Sequence, residues 1–412
     1  MNKKKLIVPL IVLLAAALYF AFFHKDKTLK FVPENADMVV LIDMKKLTGQ
    51  YISSLITHPS KWSESKKKDQ KTISLKDSGI KMPDFLQIFH LKDTKFSEWY
   101  SVVELKDLEK FSAYLKNNQF ISKGKNLFQK DQIFLKIIGK HCIVGTSFLA
   151  FDQINQSLSQ SSQKNILNAD QFIDNTLGSI SFIAGKKIQN FSIALKADEI
   201  EIKNTSATDH FTAVISKFQK EQHFLEIELD AHNVKKYARF FGKNIADSTQ
   251  ISYLKATAEV EQVNDTIISY GYDDNFNEIE KKTVQKIIQP NYVVDLQSSV
   301  PEKTWEYFQH KKWINDQGQF TVIPFQPNHI GRNDKGLTIR STRKSIALSP
   351  NLKESYIYIK NNPLLVSSLS TLTSMEKRIL SDIDYIFYGN KADNYWVKIK
   401  AKNGVLPLIL RW

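Results

Sequence analysis

The amino-acid sequence predicts an α+β fold, with antiparallel or mixed sheets carrying helices on one face, built as two related halves and preceded by one N-terminal transmembrane helix. Three features lead there. An uncharged apolar run opens the chain. Five later stretches pass from a short apolar strand pattern through a polar capping residue into an amphipathic helix pattern. Alternating, strand-like segments fill the space between them.

The opening run, LIVPLIVLLAAALYFAFF, covers residues 6–23 behind Lys3, Lys4 and Lys5. Eighteen helical residues rise ~27 Å, close to the ~30 Å hydrocarbon core of a bilayer. Ala15 and Ala17 offer a small-x-small cleavage site, so a cleaved signal stands as the alternative. The apolar run continues beyond them through Tyr19, Phe20, Phe22 and Phe23, which suit a membrane interface and favour a retained anchor. No cysteine follows the run, which excludes a lipid-modified terminus. The lysines place the amino terminus in the cytoplasm and the rest on the far side. The expected organisation is a cytoplasmic tip and anchor at 1–30, a first α+β half at 31–160 and a second at 166–412. Two polar tracts act as connectors, the Lys-dense 60–78 and the Ser/Gln-rich 155–165.

The strand-to-helix stretches begin at Val39, Ser101, Phe224, Tyr292 and Tyr356. Leu108, Phe111 and Leu115 lie at i, i+3 and i+7, as do Val234, Tyr237 and Phe241, each set one apolar stripe. Gly242 is placed to stop the second helix. Ser299 and Glu302 have capping-box spacing, and Asn362 before Pro363 reads as a cap with a first-turn proline. Turn residues at 196–199 and 331–336 join strands into hairpins. Val39 and Val102 are 63 residues apart, Val293 and Ile357 are 64 apart, and these matching gaps suggest a duplication. Strand followed by helix is also a common pattern, so both explanations stay open.

Residues 1–30 hold +5 of the formal +14, leaving +9 on the rest of the chain. That modest excess suits anionic lipid or acidic envelope polymers, or equally a Lys-rich soluble surface. Other envelope proteins are also expected partners, and no nucleic acid is expected on the outer side of a membrane. The single cysteine, Cys142, allows no internal disulfide and reads as a small buried strand residue. The nine histidines show no HExxH spacing and no CxxC accompanies them, so no metal site is expected. His223 and His232 flank one strand with the carboxylates Glu221 and Asp230 nearby, but they read as scattered surface histidines. Phosphate loops and the GxSxG elbow are missing, and the Ser-x-x-Lys pairs lack an accompanying KTG strand. Glu226 and Glu228 read as the solvent side of a strand, and Asp273/Asp274 with Asn275 and Asn277 as a solvated turn. Trp305, Tyr307, Phe308 and Trp313, with Phe320 and Phe325 following, read as core and its margin rather than a ligand groove.

FVPENADMVVLIDMKKL at 31–47 resembles the opening of uncharacterised bacterial membrane-anchored envelope proteins, through Pro33, Asn35, Ala36 and Asp43. EWYSVVELKDLEKFSAYL at 98–115 resembles their second unit. The resemblance covers about the first 150 residues. It implies a repeated α+β ectodomain of unknown role and transfers no site residues. The functional expectation is therefore a bacterial inner-membrane, single-pass protein with its ectodomain in the periplasm. It is expected to work as a non-catalytic interaction or scaffold protein, with no catalytic, cofactor or metal residues. The alternatives are a periplasmic carrier or chaperone for an apolar ligand in a groove, and an envelope enzyme whose site the sequence does not show.

Overall fold

A computed structural model describes residues 25–57, 77–160, 167–196, 198–204, 209–241, 250–323, 328–352, 354–368 and 372–403. The chain divides into two compact units, at Asn204/Thr205. The Ser/Gln tract expected at a boundary falls inside the first unit, where its described part is helical to Gln160.

Unit 1 contains β1 (Thr28–Leu29), β2 (Ala36–Asp43), α1 (Met44–Thr57), β3 (Ile80–Lys81), β4 (Phe85–Leu91) and β5 (Tyr100–Leu105). It continues with α2 (Leu108–Asn117), β6 (Ile121–Gly124), β7 (Leu127–Lys130), β8 (Ile133–Ile138), β9 (His141–Gly145) and α3 (Phe151–Gln160). It ends with β10 (Leu167–Asn168), β11 (Gly178–Ala184), β12 (Lys187–Lys196) and β13 (Glu199–Lys203). Its sheet runs β13–β12–β11–β2–β4–β5–β9–β8–β7–β6, with antiparallel neighbours throughout.

Unit 2 contains α4 (Asp209–Phe218), β14 (Leu225–Asp230), α5 (Ala231–Phe241), β15 (Ile251–Tyr272), β16 (Glu278–Ser298) and α6 (Pro301–His310). After these come β17 (Asn328–Asn333), β18 (Gly336–Ser341), β19 (Ser355–Lys360), α7 (Pro363–Ser368), α8 (Ser374–Asp382), β20 (Ile383–Lys391) and β21 (Asn394–Ala401). The sheet order is β21–β20–β19–β14–β15–β16–β18–β17, again antiparallel. The two orders correspond strand for strand from β13/β21 to β8/β17. A helix follows β2 and β14, and another follows β5 and β16. The matching gaps in the sequence left duplication open; strand order sets β2 against β14 and β5 against β16.

The α+β expectation is also corrected. Strand (48%) is about twice helix (23%) in the structure, so antiparallel sheet dominates. Nor do the helices share one face. On β5, Tyr100 and Val102 join a core with Phe151 and Ile154 of α3. Leu105, one pleat out of phase, joins another with Phe111 and Leu115 of α2. Side chains alternate along a strand, so α2 and α3 cover opposite faces. Unit 2 repeats this. Tyr356 and Tyr358 of β19 pack with Phe211 and Phe218 of α4, while Ile357 packs in the core that holds Phe308 of α6.

The expected transmembrane anchor at 6–23 lies outside the described residues. Among the described residues no helix is long and apolar enough to cross a membrane. The longest described helix, α1, has 14 residues, a rise of about 21 Å against ~30 Å of hydrocarbon. The transmembrane, single-pass and inner-membrane expectations, and the periplasmic placement drawn from them, are corrected on that finding.

Local expectations fared unevenly. All five strand-to-helix stretches form. Phe111 and Leu115 are buried, but Leu108 is exposed. Asn362 accepts from the Leu364 amide at 2.9 Å as a cap should. The Ser299/Glu302 box does not form: Val300 is the cap residue and Pro301 opens the helix. Gly242 and the C-terminal 404–412 lie outside the described residues. The 331–336 turn tightens to Asp334–Lys335 between β17 and β18. Gly336 there has φ +154°, and a Cβ would stand 1.8 Å from the Leu296 carbonyl oxygen, so only glycine lets β18 lie against β16.

Candidate functional site

Glu226 and Glu228 lie on one face of β14, as alternation requires, but that face is not solvated. Glu226 is fully buried and Glu228 nearly so. Their neighbours across the sheet are Thr257 and Lys255 of β15, and the segment after β18 covers them. Ser349 Oγ donates to Glu226 Oε1 at 2.8 Å, Thr257 Oγ1 donates to its Oε2 at 3.0 Å, and the Leu352 amide donates to Glu228 at 3.1 Å. Lys255 Nζ pairs with Glu228 at 3.1 Å. Burial pushes the Glu226 carboxyl above its ordinary range, against the bonds from Ser349, Thr257 and His223.

At the edge of this buried lane sits His223. Its Nδ1 lies 2.5 Å from Glu226 Oε1 and 3.1 Å from Glu221 Oε2, and its Nε2 lies 3.4 Å from Glu259 Oε1. Lys344 pairs with Glu259 from the covering segment. Glu221, His223 and Glu226 place one ligating atom each within 4.8 Å of the others. The sequence had linked His223 with Glu221. It missed Glu226, Glu259, Thr257 and Ser349, because a Glu-Ile-Glu alternation looks the same whether its polar face meets water or a covering loop. His232 does not join the cluster, and Asp230 instead caps α5 through the Asn233 amide at 2.9 Å.

The second candidate is the β15/β16 hairpin. These strands run 22 and 21 residues and pair continuously from Tyr253↔Gln297 to Tyr272↔Glu278. β14 flanks β15 only at 253–258 and β18 flanks β16 only at 293–297. Beyond Gln262↔Ile288 no described strand flanks the hairpin, which runs on as a two-stranded arm of about 35 Å. Its side chains are exposed: Tyr270 67%, Tyr272 72%, Phe276 86% and Val284 66%. The tip is the Asp273–Asn277 turn. Asp273 Oδ1 accepts from the Asn275 and Asn277 amides, each at 2.8 Å. The Asn277 side-chain amide, donating to Oδ2 at 3.1 Å, together with those backbone bonds holds its carboxyl below the usual range. The turn uses these oxygens itself, in keeping with a solvated turn.

The remaining sequence candidates resolve simply. Phe308 packs at 5.0 Å from Trp313 and 6.2 Å from Phe320 in the unit 2 core, while Phe325 lies outside the described residues. Cys142 is fully buried, and burial pushes its thiol up to about 12. A groove of about 240 Å³ in unit 1 mixes Phe31, Met82 and Phe85 with Asp26, Lys81 and Glu104. Such a charged lining does not suit an apolar ligand.

No family model matches this chain, and no curated protein or solved structure matches it.

Proposed function

We propose that this chain is a non-catalytic assembly protein whose working part is the β15/β16 arm, and that the arm joins it to a second copy of itself. The exposed aromatic stripe on the arm carries this reading. Directly opposed residues of an antiparallel pair share a face. One face therefore holds Ile268, Tyr270 and Tyr272 on β15 opposite Lys282, Glu280 and Glu278 on β16, with Val284 and Lys286 nearer the root. Ile268 and both aromatic residues occupy β15, while β16 is charged apart from Val284. The charged strand is acidic toward the tip and basic toward the root.

That pattern is self-complementary. A two-fold axis across the ribbon stacks the arms face to face, antiparallel, with apolar strand on apolar strand. Glu278 and Glu280 of each copy then meet Lys282 and Lys286 of the other. Anionic lipid is a poorer partner, because the tip carries Asp273, Asp274, Glu278 and Glu280 without a basic residue between Tyr270 and Glu280. A stripe of a few side chains falls short of the ~800 Å² per partner of a standard interface, so the dimer is expected to be concentration-dependent.

Sedimentation velocity on the full chain across a concentration series tests this. The wild type should shift from monomer toward dimer. Glu280→Lys and Lys282→Glu should each keep it monomeric, and the double swap should restore the dimer. A wild type that stays monomeric throughout, or single variants that dimerise equally well, would refute the proposal.

A further inference from the structure

We infer that Glu221, His223 and Glu226 form a binding site for one divalent transition-metal ion of the zinc type. This stands on observations separate from the arm. Nδ1 of His223 sits between Glu226 Oε1 at 2.5 Å and Glu221 Oε2 at 3.1 Å. An ion about 2.0–2.2 Å from each in a tetrahedral array would hold these atoms about 3.4 Å apart, so Glu226 Oε1 must draw back by nearly 1 Å and Glu221 Oε2 by about 0.3 Å. One imidazole and two carboxylates suit zinc better than calcium or magnesium, which take oxygen alone.

The surroundings are those of a built site. A metal-bound imidazole offers its other nitrogen to a carboxylate that fixes the ring, and His223 Nε2 faces Glu259 Oε1 at 3.4 Å. Glu259 is steadied in turn by Lys344. Ser349 and Thr257 hold both oxygens of Glu226. Without an ion, three carboxylates crowd one histidine, and Glu226 among them is fully buried.

A second observation points to a missing partner. Asn291 is fully buried, lies directly opposite Glu259 on the same face, and has neither amide atom hydrogen-bonded. Buried amides are rarely left so. Asn291 thus leaves a donor and an acceptor open opposite the carboxylate that faces His223 Nε2.

The test uses the full chain without an affinity tag, stripped by chelator and then titrated with Zn²⁺, read by calorimetry and by elemental analysis after dialysis. The wild type should take up one equivalent. Glu221→Gln, nearly isosteric and at a partly exposed position, should keep the fold by circular dichroism and weaken binding at least tenfold, as should His223→Ala. Glu259→Gln should weaken it about tenfold through ring orientation. Mg²⁺ and Ca²⁺ at the same concentration should not displace the zinc. No uptake by the wild type, or equal uptake by Glu221→Gln, overturns the inference. The outcome is independent of whether the arm dimerises.

Discussion

Asp230 ends β14 and caps α5, and its chemistry fixes how the protein should respond to acid. Its Oδ1 accepts from the Asn233 amide and from Asn233 Nδ2, each at 2.9 Å. Asn233 then reaches Asn390 Oδ1 at 2.7 Å, tying the cap into β20. Burial pushes the Asp230 carboxyl up, but the bonds from Asn233 and Ser355 outweigh it and hold the group below its ordinary value. A carboxylate with a lowered folded pKa stabilises above the unfolded value of ~3.9 and loses that effect as pH falls through the folded one. Asp230→Ala should therefore cost about 1 kcal/mol at neutral pH. The deficit should shrink once pH drops below about 4. Urea unfolding of both proteins across pH measures it, and a deficit that is constant into acid would count against the cap. The sequence named Asp230 only as a carboxylate that a histidine could reach, and its role as a cap went unread. Ser299 and Glu302 show the converse: spacing permitted a box, but Pro301 at the first helical position and Ser298 Oγ, accepting from the Val300 amide at 3.2 Å, settled the start differently.

At the scale of the element, the arm is where local pattern and length part company. Its residues read as strand in the sequence, and they are strand. Nothing in alternation alone said that the pairing would run on for more than ten rungs past the last flanking strand, because period-two pattern measures pleat and not neighbours. The root belongs to the core, with Ala256, Ala258, Tyr292 and Leu296 buried there. The distal part buries nothing comparable. Replacing residues 264–286 by an Asn-Gly turn should change unfolding free energy by no more than about 0.5 kcal/mol, as for other surface changes, while abolishing the concentration-dependent dimer. A large loss of stability would mean that the arm packs on something this reading leaves out.

For the whole molecule, the sequence conveyed strands, helices and hairpins but not the dominance of sheet. Five helix patterns stood out because capping chemistry is local and conspicuous. The pairing of β2 with β11 joins residues nearly 140 positions apart, and such a ladder leaves no local mark. The one-face arrangement failed for the same reason: Val39 and Leu41 point to one core, Ile42 to another, and only the paired sheet reveals that helices await both. Among the described residues, each hydrophobic core is drawn from within one unit. Leu41 and Phe387 are fully buried, one in each unit. Truncating either to alanine should cost about 2–5 kcal/mol through lost contacts and an unfilled cavity. The loss should also stay local, because cooperative units open separately. Hydrogen exchange followed by mass spectrometry should show Leu41→Ala releasing protection in β2, β4 and β11 while β19 and β20 keep theirs, and Phe387→Ala giving the reverse. If either variant loosened both sets alike, the two cores would be one cooperative unit, and the strand-for-strand correspondence would describe a single folding body rather than two.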